Sequence, residues 1–323
     1  MNNTKFMDKL VAAMKVVGKD DSKTLKGEER ADITVKQYLA RLVKLNNNKP
    51  FTNLKFLMDK DAIASIISDK AESTKINYYN SIIIALSTAK TYKKLKKQYQ
   101  DLCTPKRESL KTKDVHEKTE KQKEAMMTSE EVQQIKNTLK EEVEELNKKN
   151  TLTEQEYNKY LHHLLVSLYT DIAPRRNMDY SYMVILKKRP VELDSKKNYL
   201  LLDERKFVFN IYKTKREYGS QEIDIPEQLM FTVGHYCKAR ADMKKFNNKS
   251  AEVPLLVHYD GKEVYRLNGI TKILNKVFGK NVACTALRHI YLSDKYADIT
   301  KDRIKDAADM AHSITTQNEY VKF

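Results

Sequence analysis

The chain has 323 residues, 41% of them hydrophobic, enough for two domains with their own cores, and no apolar run nears the ~18 residues of a membrane span, which excludes a membrane-spanning protein. Sixty Lys and Arg against 44 Asp and Glu give a net charge of +16, a field that favours a polyanionic partner over an acidic or neutral one. Three well-separated cysteines, Cys103, Cys237 and Cys284, form neither a disulfide framework nor a zinc pattern, and the N-terminus lacks the apolar core of a secretion signal; both point to a reducing, intracellular setting.

Residues 1–30 contain one short amphipathic stretch and are otherwise polar. From Ile33 to Tyr99 the pattern is helical. "ITVKQYLARLVKL" sets Val35, Tyr38, Leu39 and Leu42 on one face, at the i, i+3, i+4, i+7 spacing of an amphipathic helix. "LKFLMDKDAIASIIS" holds shorter turns. "STKINYYNSIIIALSTAKTYKKLKKQY" predicts a long helix from a Ser/Thr cap, with Ile76, Tyr79, Ile83 and Leu86 inward and Lys90, Lys93, Lys94, Lys96 and Lys97 at its basic end. Residues 31–103 therefore read as a small all-helical domain. Residues 1–127 carry 27 basic and 16 acidic side chains, and residues 128–323 carry 33 and 28, so the stronger positive field belongs to the N-terminal part.

The segment 104–127, "TPKRESLKTKDVHEKTEKQKEAMM", is charged and poor in apolar residues until its end; it reads as an exposed linker or, alternatively, a solvated helix. A second domain, 128–323, opens with Thr128 or Ser129 as cap and an acidic first turn. "TEQEYNKYLHHLLVSLYTDI" predicts a helix with a strongly apolar face. The adjacent His162 and His163 project in different directions on it and make no metal pair. Alternation in "YSYMVI", "NYLLLDERKFVFNIYKT" and "GSQEIDIP" predicts a small antiparallel sheet of three strands. Helices return in "QLMFTVGHYCKARADM", "RLNGITKILNKVFG", "CTALRHIYLSDKYAD", "TKDRIKDAADMAHS" and "TTQNEYVKF". The expected class is mostly α with a small antiparallel sheet, α+β.

Four stretches of the second domain concentrate chemically useful side chains: "APRRNMDY", "YKTKREYG", "TALRHIYL" and "AHSITTQNEY". In order they offer Arg176, Lys213, Arg288, His312 and Tyr320, and this order resembles the tyrosine recombinase (phage integrase) family over most of the chain. Arg176 with Asp179 three residues on matches the family's first motif, with Arg175 as rival. Lys213 matches its hairpin lysine at the end of "FNIYK", with Lys215 as rival. "TALRH" matches its second box at Leu287, Arg288 and His289, but Thr285 stands where the family carries His. "AHS" matches the last box, 24 residues after Arg288, and Tyr320 follows His312 by eight residues where about nine are usual. "PRRNMDY" is similar to integrases of large DNA viruses and their satellites.

The resemblance implies a helical core-binding domain and a DNA breaking-rejoining catalytic domain clamped around double-stranded DNA, acting as a homotetramer on paired sites. It implies site-specific recombination or integration through a 3′-phosphotyrosyl intermediate, with no cofactor, metal or ATP, and His289 as a residue that orients the site. Only Val321, Lys322 and Phe323 follow Tyr320, so contact between protomers falls to the final helix or to residues 1–30. The chemistry suits the residues. Guanidiniums stay charged and grip phosphate oxygens bidentately. A phenol of pKa about 10 needs a base or a cationic pocket to attack at neutral pH; Arg176, Arg288 and His312 can supply it. A lysine can protonate the leaving sugar oxygen. Thr285 can donate a hydrogen bond but cannot act as acid or base, so weakened or retuned catalysis is expected. Two other functions stay open: a type IB topoisomerase-like enzyme, and a DNA-binding protein of the same fold with weakened cleavage.

Overall fold

A computed structural model describes residues 3–16, 32–111, 120–124, 126–241, 243, 253–264 and 267–321. The chain divides into two compact units, Met1–Glu117 and Lys118–Phe323. The described residues are mostly helical, and no described helix is long and apolar enough to cross a membrane.

The first unit contains α1 (Asn3–Val16), α2 (Asp32–Leu45), α3 (Lys60–Ile66), α4 (Glu72–Leu86) and α5 (Lys93–Lys111). Its core gathers Met14, Val35, Leu42, Leu57, Ile63, Ile82, Leu86 and Tyr99. Tyr99 is fully buried and donates its hydroxyl to Leu57 O at 2.8 Å, which satisfies the one polar atom that burying a tyrosine leaves in need. Of the residues expected inward on α4, Ile76, Tyr79 and Leu86 are buried and Ile83 is partly so.

The long helix expected from Ser73 through Tyr99 is two helices. Ser87 Oγ and Thr88 Oγ1 donate to Ile83 O and Ala85 O, capping the last carbonyls of α4 and ending it. At the other end the expected Ser/Thr cap is unused: Ala71 is the N-cap, without a side-chain bond. The expected linker also begins inside a helix. α5 continues through residues 104–111 because it still packs there: Cys103 is buried, Lys106 Nζ meets Glu72 Oε2 at 2.7 Å, and Arg107 bonds Asn80. The rest of that segment is described only at α6 (Glu120–Glu124) and residues 126–127; its other residues, and residues 1, 2 and 17–30 of the N-terminal segment, lie outside the described ones.

In the second unit, α7 (Ser129–Leu146) and α8 (Glu154–Thr170) each start on a capping box, Thr128 with Glu131 and Thr153 with Glu156. α8 is buried along most of its length and packs against several helices of this unit. α9 (Asn177–Ser181) leads into β1 (Met183–Leu186), β2 (Asn198–Leu201) and β3 (Lys206–Phe209); α10 (Lys215–Tyr218) precedes β4 (Gln221–Asp224), and α11 (Glu227–Ala241) precedes β5 (Val253–Pro254). α12 (Leu267–Phe278), α13 (Cys284–Asp309) and α14 (Ile314–Tyr320) complete the chain.

The sheet is mixed and has five strands, in the order β4-β3-β2-β1-β5, where three antiparallel strands were expected. β1 and β2 run parallel, Val184 opposite Tyr199, and the other neighbours are antiparallel. The long connection 187–197 carries the chain back to the starting end of β1, which a tight hairpin cannot do. The central strand is covered on both faces. Leu200 and Phe207 face the main core with α8, while Tyr199, Leu201 and Val208 face a smaller cluster with Leu193.

A second departure concerns the last helices. "CTALRHIYLSDKYAD" and "TKDRIKDAADMAHS" form one unbroken helix, α13. No Gly or Pro separates the two stretches, and Ile299 and Thr300, though β-branched, lower helix propensity only slightly.

Candidate functional site

α8 ends at Thr170, and the chain crosses Ile172–Pro174 before Arg175 and Arg176 introduce α9. The two neighbouring arginines have opposite fates. Arg175 lies flat on aromatic rings, its guanidinium carbon 3.8 Å from the Phe209 centroid and 5.0 Å from that of Tyr212. Its Nε donates to Asp179 Oδ2 at 2.8 Å and its Nη1 to Gln221 Oε1 at 2.9 Å. Arg176 is half-buried and has no side-chain hydrogen bond or ion pair among the described residues.

Asp179 is therefore the partner of Arg175, although its register in the sequence matched Arg176. Burial pushes the Asp179 carboxyl above its ordinary range, against the pull of Arg175, and its Oδ1 has no partner. A carboxylate poorly solvated by its surroundings clings to the cation it has. Arg175 and Asp179 neutralise each other as a fixed strut.

Arg288 sits one turn into α13, half-buried, and is likewise unpaired among the described residues. It joins Arg175, Arg176, Tyr212, Thr214 and Gln221 around a cleft of about 300 Å³. Arg176 and Arg288, distant in sequence, thus bring two guanidiniums without hydrogen-bonded partners to one concavity, where the Asp179 carboxyl, on which Arg176 also acts, and the exposed Tyr218 phenol stand beside them. A cluster of such guanidiniums at partial burial is unfavourable by itself and becomes favourable when an anion enters.

Lys213 stands in the β3–β4 connection and is exposed. β3 ends at Phe209, so Lys213 lies four residues beyond the strand end where it was expected. Its neighbour Thr214 lines the cleft and Lys213 does not. Lys215, the rival, opens α10 and donates to Ser195 O at 3.4 Å. Thr285 is exposed on the first turn of α13, three residues before Arg288 and so on the same side of the helix. His289 is exposed, makes no hydrogen bond among the described residues and does not line the cleft; the orienting role expected of it has no contact behind it.

One positioning residue was not visible in the sequence. Asn198, at the start of β2, is buried and makes four hydrogen bonds. Its Nδ2 donates to Asp179 O and Ile211 O, both at 2.8 Å, and its Oδ1 accepts from the backbone N–H of Asn210 and Ile211 at 2.8 and 2.7 Å. It ties α9, which the arginines introduce, to the loop that carries Lys213 and Thr214. An asparagine opening a strand is no signal of this; the partners come from two other segments.

His312 and Tyr320 lie at the opposite end of α13. A helix rises about 1.5 Å per residue, so the end of α13 at Asp309 stands roughly 30 Å from Arg288 along the axis. There the chain turns through Ala311, whose φ is +54°, and His312 N bonds Ala307 O at 3.0 Å. Ser313 caps α14, which folds back so that the Tyr320 ring comes 5.7 Å from the His312 ring, centroid to centroid. Tyr320 is 70% exposed, and His312 Nε2 is shielded without a partner. Neither residue lines the arginine cleft. Within one chain the structure therefore brings together Arg176 with Arg288, and His312 with Tyr320, but not the two pairs.

Compared with protein-family models, curated proteins and solved structures, the chain matches none.

Proposed function

We propose that this chain is a DNA strand transferase of the tyrosine-recombinase type, a site-specific recombinase or integrase. The observation that carries the reading is the cleft in which Arg176 and Arg288 stand unpaired while Arg175, between them in neither role nor charge, is locked to Asp179. A DNA phosphodiester suits such a cleft: two guanidiniums bind its non-bridging oxygens and stabilise the charge that grows in the transition state. Tyr320 attacks phosphorus, forming a phosphotyrosyl bond at the 3′ side as the bond to the 5′ oxygen breaks. His312, beside the phenol, takes its proton. Lys213, exposed on the β3–β4 connection next to the cleft-lining Thr214, gives a proton to the departing oxygen. The 5′ hydroxyl of a partner strand reverses the step, and the phosphotyrosyl bond conserves the energy that rejoining needs. In this reading the first unit, with exposed Lys90, Lys93, Lys94 and Lys97, is the core-binding domain, and paired duplexes are held by a homotetramer.

Incubation with a pool of nicked duplexes of randomised core sequence tests the reading, because the nick lets the released fragment diffuse away and traps the covalent adduct. Wild type is expected to form an adduct whose attached peptide contains Tyr320. Tyr320→Phe is expected to form none, and Arg176→Ala or Arg288→Ala to lose roughly 10²–10³ in rate. An adduct that survives Tyr320→Phe, or no adduct from wild type, overturns it.

A second reading has one observation behind it. The separation of the His312–Tyr320 pair from the cleft, together with Thr285 in place of a histidine, suits a DNA-binding protein of this fold with weakened cleavage. Duplex binding without any adduct in the same assay is its signature.

A further inference from the structure

We infer that the arginine cleft takes up one nucleotide as a unit, its phosphate on Arg176 and Arg288 and its base, drawn out of the stack, on the ring of Tyr218. The inference deepens the strand-transfer reading and rests on it for the identity of the ligand.

Three observations converge. The first is the size and mixed lining of the cleft. Its volume of about 300 Å³ is at the small end of the roughly 300–1,000 Å³ of pockets that enclose a small ligand, and a lone phosphate group leaves most of it to water. Beside the two guanidiniums its walls include Ile172, Pro174 and Ile223. A phosphate gains nothing from those side chains, whereas a base set against them removes apolar surface from water.

The second is Tyr218. It lines the cleft and is 60% exposed, so its ring is left open to solvent beside a cationic concavity, the combination that holds single-stranded nucleic acid. The backbone fixes its place. Gly219, next in the chain, has φ +70° and ψ −157°, a region that essentially only glycine enters, and its carbonyl accepts from the Tyr212 hydroxyl at 2.7 Å. The Glu217 carboxylate bonds the Tyr218 hydroxyl and raises its pKa, which disfavours the phenolate. What Tyr218 brings to the cleft is therefore a flat ring rather than a second nucleophile.

The third is a surplus of hydrogen-bonding groups. Gln221 Oε1 is taken by Arg175, which fixes the amide, and its Nε2 has no partner among the described residues and is left to donate. The Thr214 hydroxyl, also in the lining, makes no hydrogen bond among the described residues either. A phosphate is served by the guanidiniums. The free amide hydrogens and the hydroxyl suit the polar edge of an unstacked base. Drawing a base out costs least where it is mismatched or unpaired, so the cleft favours a distorted or melted strand at the phosphate it holds.

Ligand-observed NMR titration of the full chain with two probes tests this. The probes are thymidine 5′-monophosphate and deoxyribose 5-phosphate, alike in charge and differing by the base. Wild type is expected to bind the nucleotide more tightly by roughly 5–150-fold, the worth of one base stacked on an aromatic ring. Tyr218→Ala is expected to remove that advantage, Tyr218→Phe to keep it, and Arg176→Ala to weaken both probes alike. Equal affinities in wild type, no measurable binding of either probe, or an advantage that survives Tyr218→Ala overturns the inference. Labelled duplexes of one length read the unstacked state. A mismatched core is expected to bind more tightly than a paired one, with the gap narrowed by Tyr218→Ala; equal affinity overturns it. These readouts need no cleavage. Base-dependent binding beside an absent adduct overturns the strand-transfer reading alone, and an adduct without base-dependent binding overturns this inference alone.

Discussion

Arg175 and Arg176 show how far apart adjacent identical residues can be in their surroundings. Arg175→Ala removes a stacked, hydrogen-bonded cation and leaves Asp179 buried and alone; breaking a buried pair by one partner costs about 3–5 kcal/mol. Arg175→Ala is therefore expected to lower the urea midpoint strongly, whereas Arg176→Ala is expected to leave stability within about 0.5 kcal/mol and, if the proposed strand transfer holds, to lower its rate roughly 10²–10³-fold. His163 makes a separate prediction. It is 4% exposed, its Nε2 has no partner, and burial depresses its pKa from 6.5 to about 4, as it does for His162. The folded state thus favours the neutral ring. The unfolded chain takes up the proton first as pH falls, so stability is full above pH 6.5 and declines towards pH 4. At about 1.4 kcal/mol per pKa unit the loss from His163 is roughly 1–3 kcal/mol. Denaturant titrations at pH 7 and pH 4.5 should show His163→Phe with a smaller acid loss than wild type.

Among the elements, the turn after α13 stores a removable strain. Ala311 occupies the left-handed region at φ +54°, with His312 N bonded back to Ala307 O and Ala311 N to Ala308 O. This is the Schellman pattern, whose position beyond the cap favours glycine. Ala311→Gly is expected to stabilise the end of α13 by about 1 kcal/mol, since the methyl clash of a left-handed residue costs roughly 1–2 kcal/mol. Thermal melting of the second unit's signal, or slower hydrogen exchange at Ala311 and His312, checks it. The same turn sets the direction in which α14 departs, and so holds Tyr320 against His312. Asn198 plays the corresponding part at the other end of the site: four hydrogen bonds from one side chain make the arginine segment and the β3–β4 connection a single body.

Across the whole molecule the dominant quantity is charge. If the lysines just before and at the start of α5 meet phosphate, duplex affinity falls steeply with salt, and each contact adds about 0.9 to the slope of log affinity against log salt. Replacing Lys90, Lys93 and Lys94 by Gln is expected to cut that slope by up to about 3, read from binding at several salt concentrations; an unchanged slope places the contacts elsewhere. The charge, the helical pattern of both parts and a cap at Thr128 or Ser129 were legible in the sequence, because composition needs no fold and the other two depend on residues within a turn or two of one another. So was the order of the arginines, His312 and Tyr320. Other features were decided only by tertiary structure. Arg175 is held by Phe209, Tyr212, Asp179 and Gln221, and three of these four are more than 30 residues away. The parallel pairing of β1 with β2 follows from where the 187–197 connection sends the chain. The helix from Cys284 to Asp309 is continuous, and that continuity parts the phenol from the arginines. Local pattern determines which residues form helices and which face they bury. Which charges find partners, and which groups share a cleft, depends on packing between distant segments, and no spacing along the chain encodes that.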